Sequence, residues 1–151
     1  MVTLYVASTE AFSGKTSLCI GLFKHLRRDG FTLGYMKPLT TRIQHVDGQQ
    51  VAQDAQFVHD ALDLDETLED IAPIALTSEL IEDEIRSPKG RDHYRQQLVS
   101  AFQRVSAERD VVILEGVGRP LEGALLHLSG PEVVELLDAQ VIVIALYEDT
   151  L

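Results

Sequence analysis

A chain of 151 residues, 45% of them hydrophobic, is long enough for one globular domain with a sizeable core. Its formal charge of −11 argues against a nucleic-acid or anionic-membrane surface, and no apolar run approaches the roughly 20 residues that span a bilayer. Cys19 is the single cysteine, which excludes an intrachain disulfide and points to a reducing cytoplasm; the N-terminus lacks the basic flank and small-residue cleavage pattern of a signal peptide.

Strand and helix patterns alternate along the chain. Residues 2–7 form a short β-rich run. From Thr16 to Asp29 the apolar Leu18, Cys19, Leu22, Phe23 and Leu26 share one helical face, with Lys24, Arg27 and Arg28 in the last turns and Gly30 as a stop. A second strand is expected over 31–36, ended by Lys37-Pro38. Helices are expected over about 49–62, 77–86 and 91–108. Val111-Val112-Ile113-Leu114 and Val141-Ile142-Val143-Ile144-Ala145 are continuous apolar runs, as in parallel strands covered on both faces. Between them, Ser129-Gly130-Pro131-Glu132 has the proline of a helix start. The pattern is that of a doubly wound α/β domain. A strand so near Leu151 ordinarily leads into a further helix, so a piece of a longer protein is expected.

Gly14-Lys15-Thr16 follows a strand and opens an amphipathic helix, the context of a phosphate-binding loop. Free backbone N–H groups and the helix dipole meet phosphates there, Lys15 neutralises charge, and the Thr16 hydroxyl can bind Mg²⁺. The usual pattern needs glycine where this chain has Thr9. Glu115 ends the apolar run at 111–114, where a parallel sheet faces its ligand crevice, and a carboxylate there suits a hard cation. Lys37 closes the second strand at the same edge, and Arg42 and Arg119 lie in adjacent loops, a clustering of cations that an anionic small molecule requires. Asp54 and Asp47 are rival further carboxylates. The five histidines show no metal-ligand spacing, and Cys19 reads as core.

The stretches ASTEAFSGKTSLCIGL, GYMKPLTTR, QDAQF and VVILEGVG, in that order and at these separations, resemble the dethiobiotin synthetase family. A domain of this kind also occurs at the N-terminus of some phosphate acetyltransferases and related multidomain proteins, and LHLSGPEVVELLDAQVIVIALYE is more similar to those. The resemblance covers nearly all of the chain. It implies a P-loop NTPase-type three-layer sandwich over 1–151, with a mainly parallel sheet and helices on both faces. It implies ATP and Mg²⁺ as ligands, the base contacts lying largely beyond Leu151, and a homodimer. By the same resemblance Ser13, Gly14, Lys15, Thr16 and Ser17 hold the nucleotide, Asp54 and Glu115 complete the metal site with Thr16, and Asp54 is favoured over Asp47. Lys37, catalytic together with Lys15, holds the transferring phosphate and the carbamate, and Thr41 lies near the substrate.

Several residues depart from the family pattern. Ala11 and Phe12 replace a threonine and an acidic residue, and Arg42 and Arg119 stand where glycines are usual. Two functions follow: a regulatory nucleotide-binding module, which the arginines favour, and an ATP-dependent carbon–nitrogen ligase, which the retained Lys15, Thr16, Lys37, Asp54 and Glu115 favour. For Glu115 to reach a metal held by Thr16, the 111–115 strand must lie between those at 2–7 and 31–36.

Overall fold

The computed structural model describes residues 1–46 and 49–145. Four parallel strands form the central sheet: β1 (Val2–Ser8), β2 (Leu33–Met36), and, after the minor strands named below, β7 (Val111–Glu115) and β8 (Gln140–Ile144). Their order is β2-β7-β1-β8, so β7 lies between β1 and β2 as the reach of Glu115 demands. Every residue of β7 is buried, which accounts for its unbroken apolar sequence.

Alternate side chains of these strands feed two cores. Val6, Leu33, Tyr35, Val111 and Ile113 pack with Cys19 and Phe23 of α1 (Lys15–Arg28) and Val58 and Leu62 of α2 (Gln53–Leu62). Tyr5, Met36, Val112 and Leu114 pack on the other face. Their partners are Leu98 and Val105 of the long helix at Arg91–Ser106 and Val133 of the last helix at Gly130–Leu136. The result is the three-layer α/β sandwich. Gly34 lets the long helix approach closely, because a Cβ there would fall 2.8 Å from the Val105 carbonyl oxygen.

The remaining elements are short. β3 (Leu39–Thr40) pairs in parallel with β6 (Ile74–Ala75), and β4 (Ile43–Val46) pairs antiparallel with β5 (Gln49–Ala52). Helices α3 (Leu68–Ile71) and α4 (Ser78–Arg86) precede the long helix, which is α5, and the last helix is α6. The helix expected over 49–62 therefore begins only at Gln53. Val46 pairs with Gln49, leaving Asp47-Gly48 between the paired strands. Asp-Gly is a strong hairpin dipeptide, and it outweighs the helical periodicity upstream of Gln53. Asp47 itself lies outside the described residues. No helix among the described residues is long and apolar enough to cross a membrane.

Candidate functional site

The site gathers at the C-terminal ends of β1, β7 and β2. Beyond Ser8 the chain loops to Gly14, whose φ of 85° is a left-handed conformation that glycine adopts without penalty, and α1 begins at Lys15. No side chain caps the first turn of α1, so its first N–H groups have no side-chain acceptor. Phe12 also has a positive φ, 59°, an unfavourable setting for a bulky side chain.

Lys15 is buried and donates from Nζ to Ser8 Oγ at 2.6 Å, while Ser8 Oγ donates to the Glu10 carbonyl at 2.6 Å. Burial lowers the Lys15 pKa, only partly offset by the nearby Glu115 charge. Ser8, one residue before the Thr9 that stands where the usual pattern has glycine, thus has a use: it seats the loop lysine.

Glu115, only 2% exposed, is the centre of the polar network. Its Oε1 accepts from the Thr16 hydroxyl at 2.7 Å and from Lys37 Nζ at 2.7 Å, and its Oε2 accepts from the Tyr35 hydroxyl at 2.8 Å. Lys37 Nζ also lies 3.0 Å from Asp54 Oδ2. The other Asp54 oxygen accepts from the Thr40 hydroxyl at 2.9 Å and the Ala55 N–H at 3.0 Å. Burial works against the Lys37 charge, but Glu115 and Asp54 outweigh it and hold the ammonium above its ordinary value. The Tyr35 phenol is pushed well above its usual range by burial and by Glu115, so it stays a donor.

Around this network lies a cleft of about 410 Å³. Ser13, Gly14, Lys15, Thr16, Ser17, Lys37, Thr41, Asp54 and Glu115 all line it, and so does Arg42. Arg119 is exposed and not among the lining residues, so the two arginines do not converge. Tyr35 and Thr40 are the residues that sequence reasoning does not single out. Tyr35 shares the strand alternation of Lys37, which is the one signal that places it on Glu115's side.

No cluster of three or more His, Cys, Asp or Glu suited to a metal occurs among the described residues. Mg²⁺ does not need one: it takes one or two carboxylates and fills the rest of its shell with water and phosphate oxygens. Asp54, Glu115 and the Thr16 hydroxyl are the residues that could offer such donors. The Lys37 ammonium already touches both carboxylates, which shows that they converge on a single positive centre.

Residues 2–151 match the protein family described as an AAA domain. The chain belongs to this family. Within it, the AAA domain here is of the dethiobiotin synthetase-like P-loop kind. It is 29% identical to the ATP-dependent dethiobiotin synthetase of Aromatoleum aromaticum over 114 residues, covering 76% of this chain and 51% of that protein. It is 30% identical over 129 residues to that of Anaeromyxobacter dehalogenans, covering 85% and 54%. A phosphate acetyltransferase of Pseudomonas aeruginosa is 27% identical over 150 residues, 99% of this chain and 20% of that protein. The AAA domain thus spans about half the length of the dethiobiotin synthetases it matches.

Proposed function

We propose that this AAA domain is an Mg²⁺-dependent binding module for a purine nucleoside triphosphate, acting as a regulatory part of a longer protein related to the phosphate acetyltransferases. One observation carries the reading: an uncapped helix start after Gly14 faces Lys15, Thr16, Lys37, Asp54 and Glu115 in a single cleft. The first-turn N–H groups and Lys15 would take the phosphates, with Ser13 and Ser17 beside them. Thr16, Asp54 and Glu115 would hold Mg²⁺, which when bound draws charge off the phosphate oxygens. Lys37, freed from its carboxylates by the metal, would turn to the terminal phosphate.

The regulatory role rests on the mouth of the cleft, where Phe12 and Arg42 crowd the approach of a second substrate beside Thr41. The ligase reading is favoured by a different observation: Lys37 and both carboxylates sit within hydrogen-bonding reach of one another, poised for phosphoryl chemistry. A cytoplasmic homodimer belongs to the proposal, since Val141 and Val143 on β8 are 48% and 60% exposed and offer apolar surface to a second copy. Light scattering that finds a monomer across a wide concentration range removes that part.

Calorimetry with ATP, GTP and ADP, with and without Mg²⁺, tests the binding. Nucleotide should bind wild type only with Mg²⁺ and not bind Lys15→Ala. Affinity no better than about millimolar, about −4 kcal/mol, for every nucleotide defeats the proposal. Dethiobiotin formation from diaminopelargonic acid, CO₂ and MgATP, lost in Lys37→Ala, would replace the module by the ligase.

A further inference from the structure

Three cations line the cleft, and two of them are already engaged. Lys15 is tied to Ser8, and Lys37 is shared between Asp54 and Glu115. Arg42 is different. Its guanidinium has no carboxylate partner among the described residues and instead lies over the Phe12 ring, 4.9 Å from the centroid. That ring is 87% exposed and is held there by a residue in the left-handed region. Unfavourable backbone conformations of this kind persist where the surroundings enforce them, and they concentrate at ligand clamps.

The backbone of Arg42 is fixed while its guanidinium carries no carboxylate among the described residues. Its N–H donates to Thr40 Oγ1 at 3.3 Å, and its carbonyl accepts from the Gln53 N–H at 3.0 Å. The same Thr40 hydroxyl holds Asp54, so the backbone of Arg42 is pinned to the network beneath. Ser13, next to Phe12 in the chain and part of the lining of the same cleft, has a buried Oγ with no hydrogen-bond partner. A buried hydroxyl without a partner is costly unless something supplies one. An unpaired guanidinium and an orphan hydroxyl thus line the same cleft.

We propose that Arg42, seated on Phe12 and assisted by Ser13, is an oxyanion receptor at the mouth of the cleft. A planar guanidinium fork matches phosphate or carboxylate oxygens two at a time, and stacking on Phe12 fixes the plane in which it presents its donors. Two sources share this chemistry: the terminal phosphate of the nucleotide, and the phosphate or carboxylate of a separate small molecule. The first rests on the nucleotide-binding proposal; the second stands without it.

The full chain is titrated calorimetrically with MgATP and MgADP as wild type and as Arg42→Gln. In parallel, inorganic phosphate and succinate are titrated while the Arg42 Nε–H signal is followed by NMR, assigned by its absence in Arg42→Gln, with and without ADP. A terminal-phosphate receptor makes Arg42→Gln lose about tenfold in MgATP affinity and nothing in MgADP affinity. A receptor for a separate anion makes phosphate or succinate shift the Arg42 signal with ADP present. In either case Phe12→Tyr behaves as wild type and Phe12→Gly, which suits the positive φ, weakens the response. If wild type binds no nucleotide, the nucleotide-binding proposal fails and the anion titration alone decides this one. An unchanged MgATP-to-MgADP ratio in Arg42→Gln, together with no anion-induced shift, overturns it.

Discussion

Lys37→Met removes the cation held between the buried Glu115 carboxylate and the partly exposed Asp54 carboxylate. The Lys37, Asp54 and Glu115 side chains are 7%, 13% and 2% exposed, so solvent compensates the lost ammonium only in part. Breaking a buried ion pair by deleting one partner costs about 3–5 kcal/mol, because the charge left behind is uncompensated. For a chain of this size each kcal/mol moves Tm by about 2–4 °C, so the nucleotide-free variant should melt ~6–20 °C below wild type. The loss is specific in character as well as size. Asp54, Glu115 and Thr16 are hard oxygen donors, and with the ammonium gone Mg²⁺ should occupy the gap without any nucleotide. Millimolar Mg²⁺ should therefore recover much of the lost Tm in Lys37→Met and shift wild type little, while Ca²⁺-free, Mg²⁺-free buffer gives the full deficit. Circular dichroism melts with and without Mg²⁺ measure both effects. A variant as stable as wild type, or equal Mg²⁺ shifts in the two proteins, would refute the placement of Lys37 as a stand-in for the metal.

Tyr35→Phe deletes a donor to Glu115 Oε2 without changing shape, so urea unfolding should show a loss of about 1–3 kcal/mol; a neutral result means that oxygen finds another donor. Gly34→Ala should destabilise by about 1–3 kcal/mol, since the new methyl would meet the Val105 carbonyl, and an unchanged denaturation midpoint would show that α5 shifts freely. Glu84 accepts from the Lys89 N–H and the Tyr94 hydroxyl, and these bonds hold its carboxyl below the ordinary value of 4.5. A depressed carboxyl contributes stability above its unfolded value and loses it as pH falls through the folded one. Glu84→Gln should therefore be less stable than wild type at neutral pH, with the gap closing below about pH 4.5; a gap independent of pH in chemical denaturation would contradict this.

What could be read in advance was whatever the chain carries in one continuous stretch. The 111–114 run is apolar at every position because β7 is covered on both faces, and Gly14-Lys15-Thr16 announces itself because loop and helix start are contiguous. The position of β7 between β1 and β2 followed from one chemical demand, that Glu115 meet Thr16. The pairing of 43–46 with 49–52 is masked in the sequence because residues 49–52 continue the periodicity of a helix that begins only at Gln53; the Asp47-Gly48 dipeptide is the one sequence signal for it. Tyr35 reads as a core aromatic, and only the fold reveals that its hydroxyl ends on a carboxylate. The Phe12–Arg42 stack joins two loops thirty residues apart by tertiary geometry alone. Arg119 looked equivalent to Arg42 by loop position, yet it lies outside the cleft.

The strand order has a consequence for how the protein comes to exist. β1 and β2 are made early but are not neighbours; each awaits β7, whose first residue is Val111. The bonds that define the site, Thr16, Tyr35 and Lys37 to Glu115, close intervals of 99, 80 and 78 residues. Loops of that length delay folding, because closure entropy is lost before any contact compensates. A chain that ends short of Glu115 lacks the carboxylate on which Thr16, Tyr35 and Lys37 converge. The network around Glu115 is complete only once β7 has paired with both β1 and β2, the two strands made before it.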